Sequence, residues 1–485
     1  MSKWVHATLK DICRPERGSI ISGPFGSNIS SKFFVDEGVP VIRGNNLSLS
    51  LDKFYDDGFV YVTKEKADEL NCYALEGDLL FTAAGTIGQV GILEAPLKYE
   101  KYVISNKQLR ARVDTKKVDR LYAYYWFSSA WMQDYFIRNN KGSTVPLISL
   151  AELKDAPISY PEDISEQRRI VAVIEVLSRK IETNRSISSE LEFMTKTIYD
   201  YWFTQFDFPD ADGKPYRSSG GEMEWNEQFK REIPKGWIVA PLSQYLNCNK
   251  HSVRKKDQLE SICYLDTGSL TDNAMDSMEC YESISVAPVR AQRIVHRNDI
   301  LYSTVRPIQR HYGIIKHPAK NMVASSGFAC LSSKADSKYN DLFYLFITAP
   351  QNTKKLCAIA DSSVSAYPSI NPSDILDLQI ALPKHFDEID ELVSSLSSLL
   401  YAKAHWQDEI RQLLSLRSWL LPMLMNGQAT VTDTKEEPKV ISFAPKSDND
   451  HRFAAWLQNQ GIAARGNVDM QTMREIFNAM DDDDK

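Results

Sequence analysis

The side chains best suited to chemistry lie in one loop of this 485-residue chain, STVRPIQRHYG at residues 303–313. Arg and Gln side chains present paired hydrogen-bonding groups that match base edges, Arg with guanine and Gln with adenine. Basic and hydroxyl side chains also hold phosphates, which fixes position without reading sequence. We therefore expect this loop to contact DNA, through Arg306, Gln309, Arg310, His311 and Tyr312. An ordinary solvated loop is the alternative.

A second candidate set lies in the first half of the chain. The loop at residues 23–32 is rich in Gly and Ser, which suits close approach of backbone to a ligand. Further candidates follow the strand-like runs VPVI (39–42) and GDLLF (77–81), or lie in a basic stretch. The residues expected to contact DNA are Ser27, Lys32, Arg43, Asn45, Asn46, Thr86, Gln89 and Lys107.

Two basic stretches occupy neighbouring places in the two halves of the chain. Residues 284–320 carry seven Lys and Arg against one acid, and residues 98–117 carry seven against two. A single run of this kind is usually a solvated face. Two runs at equivalent places favour an anionic ligand for each half, although the whole chain has a net charge of −7.

Catalytic and metal-binding motifs are missing from the sequence. There is no GxxxxGK[ST] phosphate loop, no HExxH and no [DNS]PP[YFW] tetrapeptide, and the spacing in PDADGK (209–214) is too tight for a nuclease site. The eight histidines show no metal-ligand spacing, and the seven cysteines include no CxxC pair. We therefore expect a non-catalytic protein with free thiols, without a metal, in a reducing cytoplasm. The sequence also contains no membrane span.

An internal repeat positions these candidates. Residues 142–203 align without a gap to residues 364–425 at an offset of 222, a period far too long for a solenoid. Trp4 matches Trp237 at an offset of 233, so the first globular part is longer by 11 residues, in its early loops. Short β-branched and aromatic runs between turn residues predict a sheet-centred globular part in each half.

A long helix follows each globular part. Seven-residue apolar spacing over four heptads predicts a coiled coil, with packing against the chain's own globular parts as the alternative. The predicted fold is α+β, with two sheet-containing domains in a pseudo-two-fold arrangement, separated by two long antiparallel coiled-coil helices. The predicted seam residues are Ile170, Leu177, Asn184, Leu191 and Ile198 in the first helix, and Leu392, Leu399, Trp406, Leu413 and Leu420 in the second.

Several motifs in order resemble the specificity subunit of type I restriction–modification systems, over about residues 3–431. They are SGPFGSNISSKFFVDEGVPVIRGNNL (22–47), EGDLLFTAAGTIGQVGIL (76–93), DFPDADGKPYRSSGGEM (207–223), IPKGW (233–237) and LRSWLLPMLMNGQATV (416–431). The resemblance implies two target recognition domains, each reading one half of a split double-stranded DNA sequence. It also implies that the helices space these domains and bind two methyltransferase subunits.

The resemblance assigns the chemistry to partner proteins. It implies that S-adenosylmethionine, ATP and magnesium are held by methyltransferase and restriction (translocase) subunits, with no cofactor in this chain. An orphan scaffold without DNA-reading activity is the alternative. The predicted segments are recognition domains at 1–160 and 237–383, helical spacers at 161–206 and 384–431, a connector at 207–236, and a linker with a small helical tail at 432–485. The terminal DDDDK matches a common cleavage tag.

Overall fold

Two structural units make up the part of the chain that the computed structural model describes, residues 3–142, 144–254, 259–363, 367–429 and 431. Unit 1 contains the described residues up to Lys180 together with those from Leu413 onward, and unit 2 contains Ile181–Gln412. Each unit therefore holds one globular part and portions of both long helices. The linker and helical tail expected at 432–485 lie outside the described residues.

Unit 1 opens with short strands and small helices and ends in a long helix that continues into unit 2. Its strands are β1 (Trp4–Thr8), β2 (Ile20–Ser22), β3 (Val39–Ile42), β4 (Val60–Val62), β5 (Tyr73–Ala74), β6 (Leu79–Thr82), β7 (Val90–Ile92), β8 (Tyr102–Ile104), β9 (Gln108–Ala111) and β10 (Pro157–Pro161). Its helices are α1 (Leu9–Ile12), α2 (Lys64–Leu70), α3 (Arg120–Phe127), α4 (Ala130–Arg138), α5 (Leu150–Lys154) and the long α6 (Ile164–Tyr199).

Unit 2 has a similar order, with one additional hairpin before it, a second one within it and no α-helices equivalent to α1 and α2 among its described residues. Its strands are β11 (Met223–Asn226), β12 (Arg231–Pro234), β13 (Trp237–Pro241), β14 (Leu246–Cys248), β15 (Glu260–Leu265), β16 (Leu270–Thr271), β17 (Ala274–Met275), β18 (Glu279–Ser283), β19 (Ala291–Ile294), β20 (Ile300–Ser303), β21 (Tyr312–Ile314), β22 (Met322–Ser325), β23 (Phe328–Ser333) and β24 (Gln379–Pro383). Its helices are α7 (Asn340–Thr348), α8 (Pro350–Asp361), α9 (Pro372–Leu376) and the long α10 (Asp390–Met425).

The two globular parts have the same sheet topology. One four-stranded sheet runs β2-β9-β6-β7 in unit 1 and β14-β23-β20-β21 in unit 2. The other runs β4-β3-β8-β5 and β18-β15-β22-β19, with a parallel central pair in both units. An antiparallel pair closes each globular part, with Trp4 opposite Pro161 in unit 1 and Trp237 opposite Pro383 in unit 2. The repeat seen in the sequence is therefore a repeat of fold.

Local sequence explains why equivalent helices begin at equivalent places. Ser149 and Glu152 form a capping box at the start of α5, and Asn371 and Asp374 form one at the start of α9. In each box a polar side chain accepts from backbone N–H groups that the first helical turn leaves without partners. Both pairs are related by the 222-residue offset, so the repeat preserves this signal.

The long helices pair in antiparallel orientation within each unit. In unit 2, Nδ2 of Asn184 lies 2.8 Å from Oε2 of Glu409, and Nζ of Lys403 lies 2.8 Å from Oε2 of Glu192. In unit 1, Nη1 of Arg417 donates to Oγ of Ser178 at 3.1 Å. The predicted antiparallel helix pair is confirmed.

The buried register of these helices drifts from the predicted seam. Most predicted seam residues are buried. In α6, however, Leu177 and Ile198 are only partly buried, and the residues that follow them, Ser178 and Tyr199, are buried instead. In α10 the buried position passes in the same way from Leu420 to Leu421. A helix with 3.6 residues per turn moves gradually away from a strict seven-residue repeat, which accounts for the shift. Leu413 also lies only partly buried.

The segment predicted as a connector is more ordered than its Gly- and Pro-rich composition indicated. It contains the hairpin of β11 and β12. The ring of Phe208 stacks between Tyr216, with centroids 4.7 Å apart, and Trp237, with centroids 5.3 Å apart. Aromatic stacking therefore attaches this segment to the start of the second globular part.

Candidate nucleic-acid interface

An open cleft of about 610 Å³ in unit 1 gathers several of the predicted DNA-contacting residues. It lies where the ends of β3 and β6 meet the turn before β9. Five predicted residues line it, namely Arg43, Asn45, Thr86, Gln89 and Lys107. Among them Asn45, Thr86 and Lys107 are exposed. Residues from three separate stretches of sequence therefore form one polar surface.

Asn46, in contrast, is a structural residue. Its side chain is fully buried, and its Oδ1 accepts from the backbone N–H of Arg43 at 2.9 Å. Its Nδ2 donates to the carbonyls of Tyr55 and Asp57 at 2.9 and 2.8 Å. Because all these groups are already paired inside the protein, the expected DNA contact by Asn46 does not fit the structure. Its role is to hold the turn that presents Asn45.

Two buried donors at the cleft have no partner among the described residues. Nε2 of Gln108 and Nε of Arg43 are shielded from solvent without a hydrogen bond. Gln108 lies at the start of β9, and its Oε1 accepts from the hydroxyl of Ser105. Gln108 was missed in the sequence, where the only signal was a polar residue within a buried strand. An unpaired amide beside a cleft is a candidate ligand contact.

The Gly- and Ser-rich loop at residues 23–32 approaches the protein itself. A Cβ on Gly23 would lie 1.8 Å from the carbonyl oxygen of Ser105, so the glycine serves internal backbone packing. Ser27 and Lys32 are exposed but do not line the cleft, and Nζ of Lys32 lies 4.7 Å from the centre of the Phe33 ring. Phe25 in this loop is 84% exposed, which the sequence did not single out.

In unit 2, the loop between β20 and β21 separates into an outer and an inner set of residues. Arg306, Ile308, Gln309 and Arg310 are exposed. Tyr312 is buried in β21, and its ring stacks on Tyr302 at 5.4 Å. Tyr312 is therefore part of the core, and DNA contact by its ring, which the sequence predicted, does not fit its position.

His311 holds the loop to the neighbouring hairpin. Its Nδ1 lies 2.9 Å from the carbonyl oxygen of Leu270 and 3.0 Å from Oγ1 of Thr271. Gln89 has the equivalent place in unit 1, where its Nε2 donates to the carbonyl of Leu47 at 2.9 Å. Both side chains thus connect the loop to the same point of the fold, and we assign them a positioning role.

Backbone hydrogen bonds confirm that the two loops are equivalent. The N–H of Gly85 donates to the carbonyl of Pro146 at 3.0 Å, and the N–H of Arg306 donates to the carbonyl of Pro368 at 2.8 Å. The loops therefore share one framework, and they differ in the side chains that they expose.

Left-handed backbone marks the difference between the loops. In unit 1, Gly85 and Gly88 have φ of 101° and 92°. In unit 2 the same two places are occupied by Arg306 and Arg310, with φ of 49° and 56°. A residue with a Cβ pays about 1–2 kcal/mol for this conformation, which glycine adopts freely. The two arginines therefore occupy strained positions at either end of the turn Pro307–Gln309.

The surroundings of these two arginines differ. The guanidinium of Arg306 lies 5.0 Å from the centre of the exposed Tyr367 ring, a cation–π contact. Arg310 forms an ion pair with Asp272 at 2.8 Å. Ile308 between them is 74% exposed. The loop therefore presents two cations on either side of an apolar tip.

Part of each basic stretch is used inside the protein. Arg110 is buried and donates to the carbonyls of Tyr73 and Gly18, while Arg112 donates to Asp78 at 3.0 Å. Burial lowers the pKa of Arg110 and raises the pKa of Asp78, with the arginines opposing the latter shift. Arg110 is therefore closed to an external ligand, and the guanidinium of Arg112 is engaged with Asp78.

In the second basic stretch Lys316 is likewise internal, 2.5 Å from the buried Asp341. The exposed remainder of both stretches includes Lys107, Arg290, Arg306 and Arg310. The cationic surface that these stretches can offer to an anionic ligand is therefore smaller than their composition indicated.

No helix in the described part of the chain is long and apolar enough to cross a membrane. Across the same residues, no group of three or more His, Cys, Asp or Glu side chains is arranged to hold a metal ion.

Comparison with known proteins identifies the relatives of this chain. Residues 1–193 match the family model described as the type I restriction modification DNA specificity domain. The MjaIX type I restriction enzyme specificity subunit of Methanocaldococcus jannaschii is 24% identical over 450 residues, which cover 89% of this chain and 94% of that protein. The HindI specificity subunit of Haemophilus influenzae is 22% identical over 178 residues, 35% of this chain and 38% of that protein.

A solved structure has the same fold. The crystal structure of a type I restriction–modification S subunit from M. genitalium aligns with a TM-score of 0.52 at 14% identity, covering 89% of this chain and 97% of that chain. This likeness shows that the two chains share a fold.

Proposed function

We propose that this chain is a specificity subunit of a type I restriction–modification system, and that each unit reads one half of an asymmetric double-stranded DNA target. The observation that carries the proposal is the pair of equivalent loops, β6–β7 and β20–β21. They share backbone hydrogen bonds but expose different side chains. Equivalent frameworks bring equivalent positions to DNA, and different side chains select different bases.

In unit 1 the reading surface is the cleft. Lys107 supplies a cation for a phosphate, and Asn45 and Thr86 supply hydrogen-bonding groups for base edges. Arg43 and Gln108 each offer a donor without a protein partner among the described residues. Because Gly85 lines the cleft and a Cβ there would have no neighbour within 4 Å, DNA can approach the backbone of this loop closely at that position.

In unit 2 the reading surface is cationic. Arg306, Gln309 and Arg310 are the proposed contacts, with Ile308 at the tip. An arginine that forms two hydrogen bonds to guanine provides about 1–3 kcal/mol of discrimination. Retention of strained backbone at both arginines supports a functional demand for cations there, since strain of this kind concentrates at functional sites.

The long helices are the proposed scaffold, which spaces the two half-sites and binds two methyltransferase subunits. Large apolar side chains lie exposed on them, namely Val176, Leu416 and Trp419 in unit 1, and Phe193 and Met194 in unit 2. Met194 and Leu416 are related by the 222-residue offset. An exposed apolar side chain at this one repeated position favours two copies of one partner.

The remaining chemistry is assigned to the assembled cytoplasmic complex. In this proposal the methyltransferase subunits hold S-adenosylmethionine, and the restriction (translocase) subunits use ATP and magnesium. This chain contributes recognition and scaffolding and is not itself an enzyme.

A binding experiment tests the recognition function. The chain in complex with its methyltransferase is titrated with a labelled duplex that contains the methylated site mapped in the host genome, at a series of salt concentrations. We expect affinity to fall steeply with salt, because bound phosphates release counterions. Arg306→Ala and Arg310→Ala should weaken binding, whereas Lys230→Ala, on the exposed connector hairpin, should not.

The orphan scaffold is the competing function. A scaffold without DNA-reading activity would bind the methyltransferase and fail to bind the duplex even at low salt. Normal assembly without DNA binding would therefore refute recognition and favour this alternative.

A further inference from the structure

Two cysteines face each other across neighbouring strands of unit 2. Cys263 in β15 is paired directly with Cys280 in β18, and their Sγ atoms lie 3.2 Å apart. Opposed residues of antiparallel strands have Cα atoms about 4.5–5.5 Å apart. Disulfides span Cα separations of about 4.4–6.8 Å, so this backbone can accept a bond between the two sulfurs.

Both thiols are placed to react. Cys280 is exposed on the edge strand β18, and Cys263 is partly exposed beside it. The hydrogen bond between them raises the pKa of Cys263, because the proton is held between the two sulfurs. The thiols of Cys13, Cys72 and Cys330 are buried instead, and burial raises their pKa values. Cys248 and Cys357 are partly exposed like Cys263, so the pair is distinguished by the short distance between its sulfurs together with the exposure of Cys280.

The segment enclosed by the two cysteines supports the arginine loop. Asp272 forms the ion pair with Arg310, and its N–H donates to the carbonyl of Arg310 at 2.9 Å. The N–H of Asn273 donates to the carbonyl of Tyr312 at 2.8 Å. Thr271 and the carbonyl of Leu270 contact His311. The turn that holds the C-terminal end of the proposed reading loop thus lies between Cys263 and Cys280.

We propose that Cys263 and Cys280 form a reversible dithiol–disulfide pair that stiffens the support of the reading loop in unit 2. With oxidised glutathione as the oxidant, the Cys280 thiolate attacks the disulfide, forms a mixed disulfide and releases one glutathione thiolate. The Cys263 thiolate then attacks Sγ of Cys280, forms the protein disulfide and releases the second glutathione. Two electrons pass to glutathione, and the two cysteine protons pass to solvent or to the released thiolates.

The link to DNA recognition rests on the proposed function, whereas formation of the disulfide does not. A covalent bond between β15 and β18 fixes the base of the enclosed turn and reduces its freedom before binding. A preorganised loop loses less conformational entropy on binding DNA. We expect the oxidised chain to bind its target about threefold more tightly than the reduced chain.

Peptide mapping tests the disulfide. The full chain is incubated with oxidised glutathione, alkylated and digested. We expect one crosslinked peptide pair containing Cys263 and Cys280, which dithiothreitol separates. In Cys263→Ser, Cys280 should accumulate glutathione as a stable mixed disulfide. Two alkylated cysteines, or stable glutathione on Cys280 in the unaltered chain, would overturn the proposal.

Two further measurements test the consequence. Hydrogen exchange of residues 264–279 should slow on oxidation in the unaltered chain and stay constant in Cys280→Ser, a matched control that cannot close the bond. DNA affinity, measured in the methyltransferase complex, should follow the same pattern. A disulfide that forms without change in exchange or affinity would refute the stiffening. A chain that forms the disulfide but binds no DNA would refute the proposed function and leave the redox pair standing.

Discussion

Replacing Arg306 by alanine and by glycine separates the strain at this position from the function of its side chain. The residue has φ of 49° and ψ of 66°, and its N–H donates to the carbonyl of Pro368. Alanine keeps the Cβ and therefore the strain, about 1–2 kcal/mol in left-handed backbone. Glycine removes the strain but costs about 0.4–1 kcal/mol through the entropy of the unfolded chain.

The expected balance favours glycine. Both variants lose the cation–π contact with Tyr367, so that contribution cancels between them. The glycine variant should therefore be more stable than the alanine variant by about 0.5–1 kcal/mol, opposite to the order at an ordinary position. Urea unfolding measures the difference. A glycine variant less stable than the alanine variant would show that the backbone is not strained here.

The same two variants should bind DNA equally poorly. Each lacks the guanidinium, so affinity for the target should fall about tenfold, which corresponds to about 1.4 kcal/mol. If Arg306 reads a base, discrimination at one position of the target should weaken as well. A uniform loss over all sequences would indicate a phosphate contact. Binding at the unaltered level in either variant would refute any contact.

Five further results are expected from other parts of the structure. Asn46→Ala should destabilise unit 1 by about 3 kcal/mol, since it leaves buried backbone groups unpaired, while Asn45→Ala should weaken DNA binding without changing the unfolding midpoint. Glu192→Gln should lower the free energy of unfolding by about 2 kcal/mol, because it leaves the charge of Lys403, which is only 4% exposed, without its carboxylate partner. Lys403→Met should lower it by less than 1 kcal/mol, because Glu192 is 33% exposed and stays in contact with water. Lys403 and Lys196 lower the pKa of Glu192 against the opposing effect of burial, so its contribution to stability should be present above pH 4.5 and be lost as pH falls through the lowered folded-state pKa.

The outcomes that would contradict these expectations are equally specific. Equal melting temperatures of Asn46→Ala and the unaltered chain would show that the turn does not depend on its amide. A larger loss in Lys403→Met than in Glu192→Gln would reverse the assignment of the buried partner. If the free energy of unfolding changes with falling pH in the same way for Glu192→Gln and for the unaltered chain, Glu192 does not contribute to the pH dependence of stability.

The fold was largely predictable because its signals are repeated. An offset maintained over sixty positions, the two tryptophans and the heptads are each visible without knowledge of contacts. The exact residues of the helix seam were less predictable. The shift of the buried position from Leu177 to Ser178 depends on how far the helix departs from a strict seven-residue repeat over many turns. A periodic pattern therefore predicts that a helix is present more reliably than it predicts which of its residues are buried.

The candidate site was predictable in place but not in role. Asn46, Gln89 and His311 have the hydrogen-bonding groups that reading DNA requires, and the fold uses those groups internally. Their partners include carbonyls distant in sequence, such as those of Leu47 and Leu270, which no local pattern indicates. The types of the side chains were therefore enough to predict which loops form the candidate site. The hydrogen bonds of the folded chain were needed to tell which residues position a loop and which are exposed on it.

The cysteine pair is a further feature that the sequence alone does not reveal. Cys263 and Cys280 look like isolated thiols in the sequence, and a search for closely spaced cysteines passes over them. Their proximity arises from an antiparallel pairing whose register the intervening turn determines. Spacing along a chain detects local ligand sets, whereas pairs across strands require the topology.

The internal attachment of the two loops also bears on how such a protein can change over generations. Gln89 and His311 fix the loop ends from within, so substitutions at the exposed tip leave the attachment intact. If the loops read DNA as proposed, single substitutions at the exposed tip would change the contacts with DNA and leave this attachment in place. A change at the attachment itself would instead endanger the whole loop. In the proposed function, the positions that would alter recognition are thus separate from the positions that hold the loop.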